Sequence, residues 1–189
     1  MDKKFLQISE YYITKKPMLV GTLLGSCVSI CLYNKCNGHA AMNHFLMPSA
    51  VRKAMQNNPG KYGESSCEMI IRSLMSIDPD ASHYSAQIFG GGNMFSLRNC
   101  IRDIGERNIK IAEQVLAKHK IRIIRRKTGG TKGMKILFNT AKNQVDCRKL
   151  SDTKDSKRLQ IQYEKAFKTI EEIFLKQTNR FPKDYFAKS

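Results

Sequence analysis

The chain has 189 residues, 41% of them hydrophobic, which is enough to bury one sizeable core, and no composition break asks for two equal domains. No stretch approaches the roughly 18 apolar residues that a membrane span needs, and the six cysteines (Cys27, Cys31, Cys36, Cys67, Cys100 and Cys147) lack the dense short-loop spacing of a secreted disulfide scaffold. The expectation is a cytoplasmic protein with free thiols, no leader and no membrane insertion. The formal charge of +17 is concentrated: residues 98–158 hold 18 basic and 6 acidic side chains, a net +12, against +3 before them and +2 after. Such a field favours an acidic partner; nucleic acid, an anionic membrane and an acidic protein all fit that description.

In chain order, Met18 to Tyr33 is apolar and rich in Val, Ile and Leu, with Gly25 interrupting, and the Asn34 to Gly38 cluster offers a turn. The pattern predicts strand, turn, strand, closed by Pro48. Residues 49–62 read as a surface loop. Ser65 and Glu68 have capping-box spacing, and Cys67, Ile70, Ile71 and Leu74 recur at helical intervals until Asp78-Pro79, which predicts a helix over 65–77. Gln87-Ile88-Phe89 predicts a strand running into a tight Gly90-Gly91-Gly92-Asn93 loop.

Asp103 and Glu106 repeat the capping-box spacing ahead of the stripe Ile104, Ile111, Ala112, Val115 and Leu116, a second helix ending near His119. Short strands follow at 121–124, 134–140 and 145–148, joined by hairpin-like turns that include Thr128-Gly129-Gly130. Leu159, Tyr163, Phe167, Ile170 and Phe174 then describe an amphipathic helix. It either packs on its own domain or docks a partner. The domain reading is 1–150 for the body and 151–189 for a basic helical extension.

The chemistry is concentrated in the first predicted hairpin. Cys27 follows Gly25-Ser26, and His44 returns on the next strand; a thiol and an imidazole on one face are the minimum parts for acyl transfer through a thioester. A turn centred between Lys35 and Cys36 sets Cys27 opposite His44, whereas centring on Asn37-Gly38 sets Cys31 there. Gly25 and Ser26 favour Cys27, because small residues let substrate and backbone approach and leave main-chain N–H groups for an oxyanion. Cys27, Cys31, Cys36, His39 and His44 also supply ligands of the type zinc takes, but at spacings unlike a Cys-x2-Cys knuckle. The glycine loop has no Lys-Ser/Thr after it to cradle phosphate, and reads as a pocket rim.

The stretches Leu24-Gly25-Ser26-Cys27-Val28, Met42-Asn43-His44-Phe45-Leu46-Met47-Pro48, Gly60-Lys61-Tyr62, Phe89 to Phe95, Ile104-Gly105-Glu106-Arg107-Asn108 and Thr128-Gly129-Gly130 resemble the chemoreceptor glutamine deamidases of bacterial chemotaxis, the CheD family. The resemblance covers about residues 8 to 150. It implies an α/β fold with a layered mixed β-sheet core, flanking helices and, here, a C-terminal amphipathic extension. It also implies a catalytic triad carried onto Cys27, His44 and a threonine before the cysteine. Thr22 fills that last place if a one-residue bulge presents it, since an ungapped match puts Gly21 there.

The resemblance further implies a substrate site around Gly25, Ser26, Gly91, Gly92 and Asn93, no cofactor and no metal. The implied substrate is a glutamine on the cytoplasmic region of a methyl-accepting chemoreceptor, and a CheC-type phosphatase is a further implied partner. Two other classes compete: a chemotaxis binding module without turnover, and a basic nucleic-acid binder. Against the latter, Phe138 is the only aromatic residue between Phe95 and Tyr163, too few for a base-stacking platform, so no nucleic acid is expected.

Overall fold

The computed structural model describes residues 1–49, 58–93, 103–151 and 154–178. Nine strands and three α-helices occur among them: β1 (Asp2–Phe5), β2 (Tyr11–Thr14), β3 (Met18–Leu24), β4 (Val28–Asn34), β5 (Ala40–Asn43), α1 (Gly63–Met75), β6 (Tyr84–Gly90), α2 (Ile104–Lys118), β7 (Arg122–Thr128), β8 (Met134–Asn139), β9 (Gln144–Lys149) and α3 (Lys154–Thr178). The strands form two sheets, β1-β3-β8-β9 and β2-β5-β4-β6-β7, each with one parallel pair, β1 with β3 and β6 with β7. The fold is α/β with a layered mixed-sheet core, as the sequence leads one to expect.

Alternation along the central strands builds the layers. In β4, Val28, Ile30 and Leu32 turn to one face and pack with Cys67, Ile70, Ile71 and Leu74 of α1 and Ala112, Val115 and Leu116 of α2. Cys27 and Cys31 turn to the other face, into a second core with Val20, Leu24, Met42, Leu46, Phe89, Ile136 and Phe138. The five-stranded sheet therefore lies between the helix pair and the four-stranded sheet. Each buried Leu, Ile or Phe contributes about 1.5–3 kcal/mol.

Several local expectations change. The run read as one strand, turn and strand is three strands in two sheets: β3 belongs to the four-stranded sheet, and β4 and β5 to the other. The β4–β5 loop is longer than a two-residue turn, because the Asn34 side chain accepts from the N–H groups of Cys36 and Asn37 and Gly38 sits at φ +76°. Neither expected register forms. The strands pair Cys31 with Met42 and Tyr33 with Ala40, with a further bridge between Val28 and Phe45.

The strands expected at 121–124 and 134–140 do not form a hairpin. β7 pairs parallel to β6 and β8 antiparallel to β3, so the Gly129-Gly130 segment carries the chain between sheets. β1 and β2, four residues each, carry no sequence signal that marks them. Residues 50–57 of the expected surface loop lie outside the described residues. No helix among the described residues is long and apolar enough to cross a membrane.

Both helices form where expected, but neither capping box does. Tyr62 and Asp103 are the N-caps, without side-chain cap bonds. Glu68 instead joins the two helices. Its carboxylate accepts from Arg72 on α1 and from Lys118 and His119 at the end of α2, at 2.9, 2.6 and 2.9 Å. Partial burial pushes this carboxyl up, and the three hydrogen bonds together outweigh it, taking it down to about 2.

A carboxyl lowered on folding stabilises the folded state above its unfolded value, and that contribution is lost as pH falls through the folded one. Glu68→Gln is therefore expected to lower the thermal midpoint at neutral pH. The gap to the wild type should narrow below pH ~4.5 and close near pH ~2, measured by melting curves across that range.

Candidate active site

Leu24 ends β3 in one sheet and Val28 begins β4 in the other, so Gly25, Ser26 and Cys27 form a three-residue crossover. Every carbonyl in it is bonded on the side of the glycine loop and α2. Gly92 N–H donates to Gly25 O at 2.7 Å, Gly91 N–H to Cys27 O at 2.8 Å, and the Asn108 side-chain amide to Ser26 O at 2.9 Å. Asn108 also donates to Leu46 O at 2.8 Å, fastening the strand after His44 to the crossover.

The amides of Gly25 and Cys27 face the other way. Both donate to one oxygen, the Tyr163 hydroxyl of α3, at 3.0 and 2.6 Å. Two N–H groups converging on a point at this range have the geometry of an oxyanion hole.

The glycine loop is thus a brace for the thiol segment. Gly90 has φ +101°, and a Cβ there would stand 2.2 Å from Cys27 O; Gly91 has φ +68°, and its Cβ would stand 2.8 Å from Gly105 O. Behind the loop, Gly129 N–H donates to Gly90 O and Asn93 N–H to Gly130 O, at 2.9 and 2.7 Å. The Asn93 side chain is exposed.

His44 follows β5. Its backbone is held on both sides by the β1–β2 connection, accepting from Ser9 N–H and donating to Glu10 O. The Val28–Phe45 bridge makes Cys27 and His44 diagonal neighbours on one face, a relation with a Cα spacing of about 7–8 Å. This replaces both direct pairings expected from the turn.

Among the described residues the imidazole has one side-chain neighbour at hydrogen-bond distance, Thr22 Oγ1, 2.8 Å from Nδ1. That hydroxyl also donates to Leu6 O at 2.8 Å, so its single proton is committed and it accepts from Nδ1–H. The remaining nitrogen, Nε2, then carries the lone pair; it is buried and has no partner among the described residues. β3 pairs with β8 without interruption from Leu19 to Leu24, so Thr22 reaches His44 by regular alternation and the expected bulge is absent. Gly21 presents no side chain to the ring.

Cys27, His44 and Thr22 are all fully buried. Burial pushes the Cys27 thiol up to about 12, against hydrogen bonds from the Tyr163 hydroxyl and its own N–H that favour the thiolate. Burial pulls His44 down to about 3, opposed by the Leu6 carbonyl. With α3 in place the pair is a neutral thiol and a neutral imidazole. Cys31 is buried in the same core, and burial raises its thiol as well. Among the described residues no cluster of three or more His, Cys, Asp or Glu side chains converges, so the zinc alternative gains no site.

Asn108, which the sequence places in a family-like stretch with a structural hydrogen bond as its expected task, makes two such bonds, whereas Tyr163 of α3 escapes a reading of the sequence. Asn108 occupies the turn between Ile104 and Ala112 on the buried stripe of α2, and a polar residue at that spacing is a signal that it has a bonding task. Tyr163 carries no such signal, being one member of an ordinary amphipathic stripe.

A profile described as "CheD chemotactic sensory transduction" matches residues 46–149. A probable chemoreceptor glutamine deamidase CheD of Thermococcus kodakarensis is 33% identical over 149 residues, covering 78% of this chain and 92% of that protein. The chain belongs to the CheD family. A second member, from Sulfurimonas denitrificans, is 32% identical over 76% of this chain and 92% of its own, and one from Saccharophagus degradans 32% identical over 86% and 76%. Among solved structures, the Bacillus licheniformis hypothetical protein YfiH covers 62% of this chain and 49% of its own at a TM-score of 0.36 and 14% identity.

Within this CheD protein the brace can be tested by itself. Gly90→Ala forces a Cβ into the Cys27 carbonyl and strains a positive φ, with an expected cost of at least roughly 1–3 kcal/mol. A chemical-denaturation midpoint equal to the wild type would contradict the tight approach.

Proposed function

We propose that this chain is a chemoreceptor glutamine deamidase, a protein-glutamine glutaminase that turns receptor Gln side chains into Glu through a thioester on Cys27. The observation that carries this reading is the chain Leu6 O, Thr22 hydroxyl, His44 Nδ1–H, which leaves a lone pair on Nε2 beside the face that holds Cys27. Membership of the CheD family and the names of its relatives support it.

A carboxamide is a poor electrophile, so the reaction is divided between two steps. His44 Nε2 takes the thiol proton as Cys27 sulfur attacks the Gln carboxamide carbon. The oxygen becomes an oxyanion between the Gly25 and Cys27 N–H groups, and His44 returns the proton to the departing nitrogen, releasing ammonia. Water, deprotonated by His44, then attacks the thioester carbon; the sulfur leaves and regains a proton, and glutamate remains. Thr22 holds the ring in the tautomer that makes Nε2 the base. Gly91 and Gly92 hold the segment that presents the thiol and the two amides, Ser26 lies between those amides with its carbonyl held by Asn108, and the exposed Asn93 is assigned to the approach of the substrate.

The proposed partner is the glutamate-bearing cytoplasmic helical region of a methyl-accepting chemoreceptor, inside the cell. A basic edge suits it: β7 is the last strand of its sheet and exposes Arg122, Arg126 and Lys127. A CheC-type phosphatase is a second proposed partner for the same face. The competing reading, a chemotaxis binding module without turnover, draws on the full burial of Cys27 and His44.

Mass spectrometry of receptor fragments separates these readings. The wild type should add about one mass unit per converted Gln and Cys27→Ala none, whereas equal spectra would leave the binding module. Thr22→Val keeps the shape and removes the acceptor for Nδ1–H, with an expected fall in kcat of about 10²-fold and little change in KM. Thr22→Ser should recover most of it.

A further inference from the structure

The oxygen between the Gly25 and Cys27 amides belongs to α3 of the same chain, and this helix is seated there by more than this contact. Leu159, one turn before Tyr163, is fully buried, and both join the core beneath the crossover. Two turns before Tyr163, the Asp155 carboxylate meets Lys135 of β8 at 2.9 Å. The Arg158 guanidinium lies over the Phe5 ring of β1, 4.7 Å from its centre.

Tyr163 takes the place of a carboxamide oxygen: its hydroxyl accepts from both amides, and its ring is buried in the same core as the thiol. Beside Tyr163 the helix still touches the body, with Ala166 against the core. A cleft of about 300 Å³ lies between Gln162 and Ala166 on α3 and Ile8, Ser9 and Lys61 on the body. Cys27 and His44 cannot meet a substrate while the helix stays.

We propose that α3 is an intramolecular stand-in for the substrate helix, its Tyr163 hydroxyl filling the two-amide site of Gly25 and Cys27, so that a receptor helix gains the thiol only by taking the place of α3. This rests on the deamidase reading and adds to it a substrate rule and a regulatory step. The reactive Gln replaces Tyr163 on a helix with an apolar residue four positions before it, in the seat of Leu159. A carboxylate eight positions before it, in the place of Asp155, meets Lys135. At rest the enzyme is closed, and its apparent affinity for receptor is reduced by the fraction of molecules in which α3 is seated.

The full-length protein tests this in two assays. Alkylation of Cys27, Cys31 and Cys67 by iodoacetamide, followed by peptide mapping, reads the cover without any substrate. Tyr163→Ala should speed Cys27 alkylation by about tenfold or more while Cys31 and Cys67 stay as slow as in the wild type. Tyr163→Phe keeps the ring but leaves two buried amides without an acceptor, and should speed Cys27 several-fold.

If Tyr163→Ala speeds all three buried thiols alike, it has unfolded and Tyr163→Phe decides. Cys27 no faster there than in the wild type overturns the proposal. Deamidation of receptor fragments is the second assay: KM should fall in both variants with kcat nearly constant, and the fastest glutamines should carry the apolar and acidic residues at the stated spacings. Conversion indifferent to both spacings overturns the substrate rule. If Cys27 opens but no variant converts any glutamine, the cover stands and the deamidase reading fails. If the wild type converts glutamine as fast as both variants and its thiol is no better shielded, the reading stands and the cover fails.

Discussion

The site depends on where three carbonyls go. A three-residue crossover between two sheets has few ways to satisfy its backbone, and here Gly91, Gly92 and Asn108 take the oxygens of Cys27, Gly25 and Ser26. The Cys27 amide shares its peptide plane with the Ser26 carbonyl that Asn108 holds, so it points the opposite way, toward the Tyr163 hydroxyl, where the Gly25 amide joins it. The two-donor site is therefore a consequence of packing the crossover against the glycine loop and α2, and the layered arrangement of sheets and helices exists around that junction.

The same junction explains why nucleophile and base come from different parts of the pattern. Cys27 sits where the chain leaves one sheet for the other; His44 sits where β5 ends and is gripped by the β1–β2 connection. Thr22, on the four-stranded sheet, reaches across to the imidazole of a residue that follows the five-stranded one. The interface of the two sheets thus orients the ring, and a shift of one sheet against the other would break the bond from Nδ1. Burial supplies the rest: a dry site strengthens each hydrogen bond and makes an unpaired polar atom such as Nε2 costly unless chemistry needs it.

Much of this could be read from the residues alone, and the failures have physical causes. Cys27 with Gly25-Ser26 before it, and His44 on the next strand, are legible because side-chain alternation and small residues leave local marks. Register is not: the Asn34 side chain organises a loop longer than either two-residue turn considered, and the Cys27–His44 relation becomes diagonal. β1 and β2 are short and largely exposed or half-buried, so no periodicity announces them, yet Leu6, Ser9 and Glu10 between them hold Thr22 and His44. The capping-box spacings were met by residues with other tasks, Glu68 above all. Tyr163 reaches Cys27 across 136 residues of sequence, a distance over which no motif operates.

The measurement that bears most directly on the account is capture of the intermediate. Wild-type protein mixed with a receptor fragment and quenched in acid should yield a Cys27 peptide joined to a receptor Gln peptide, at their summed mass less ammonia. An adduct mapped to Cys31, or conversion of glutamine that survives Cys27→Ala, would contradict the assignment of the nucleophile and of the hydrogen-bonded base beside it.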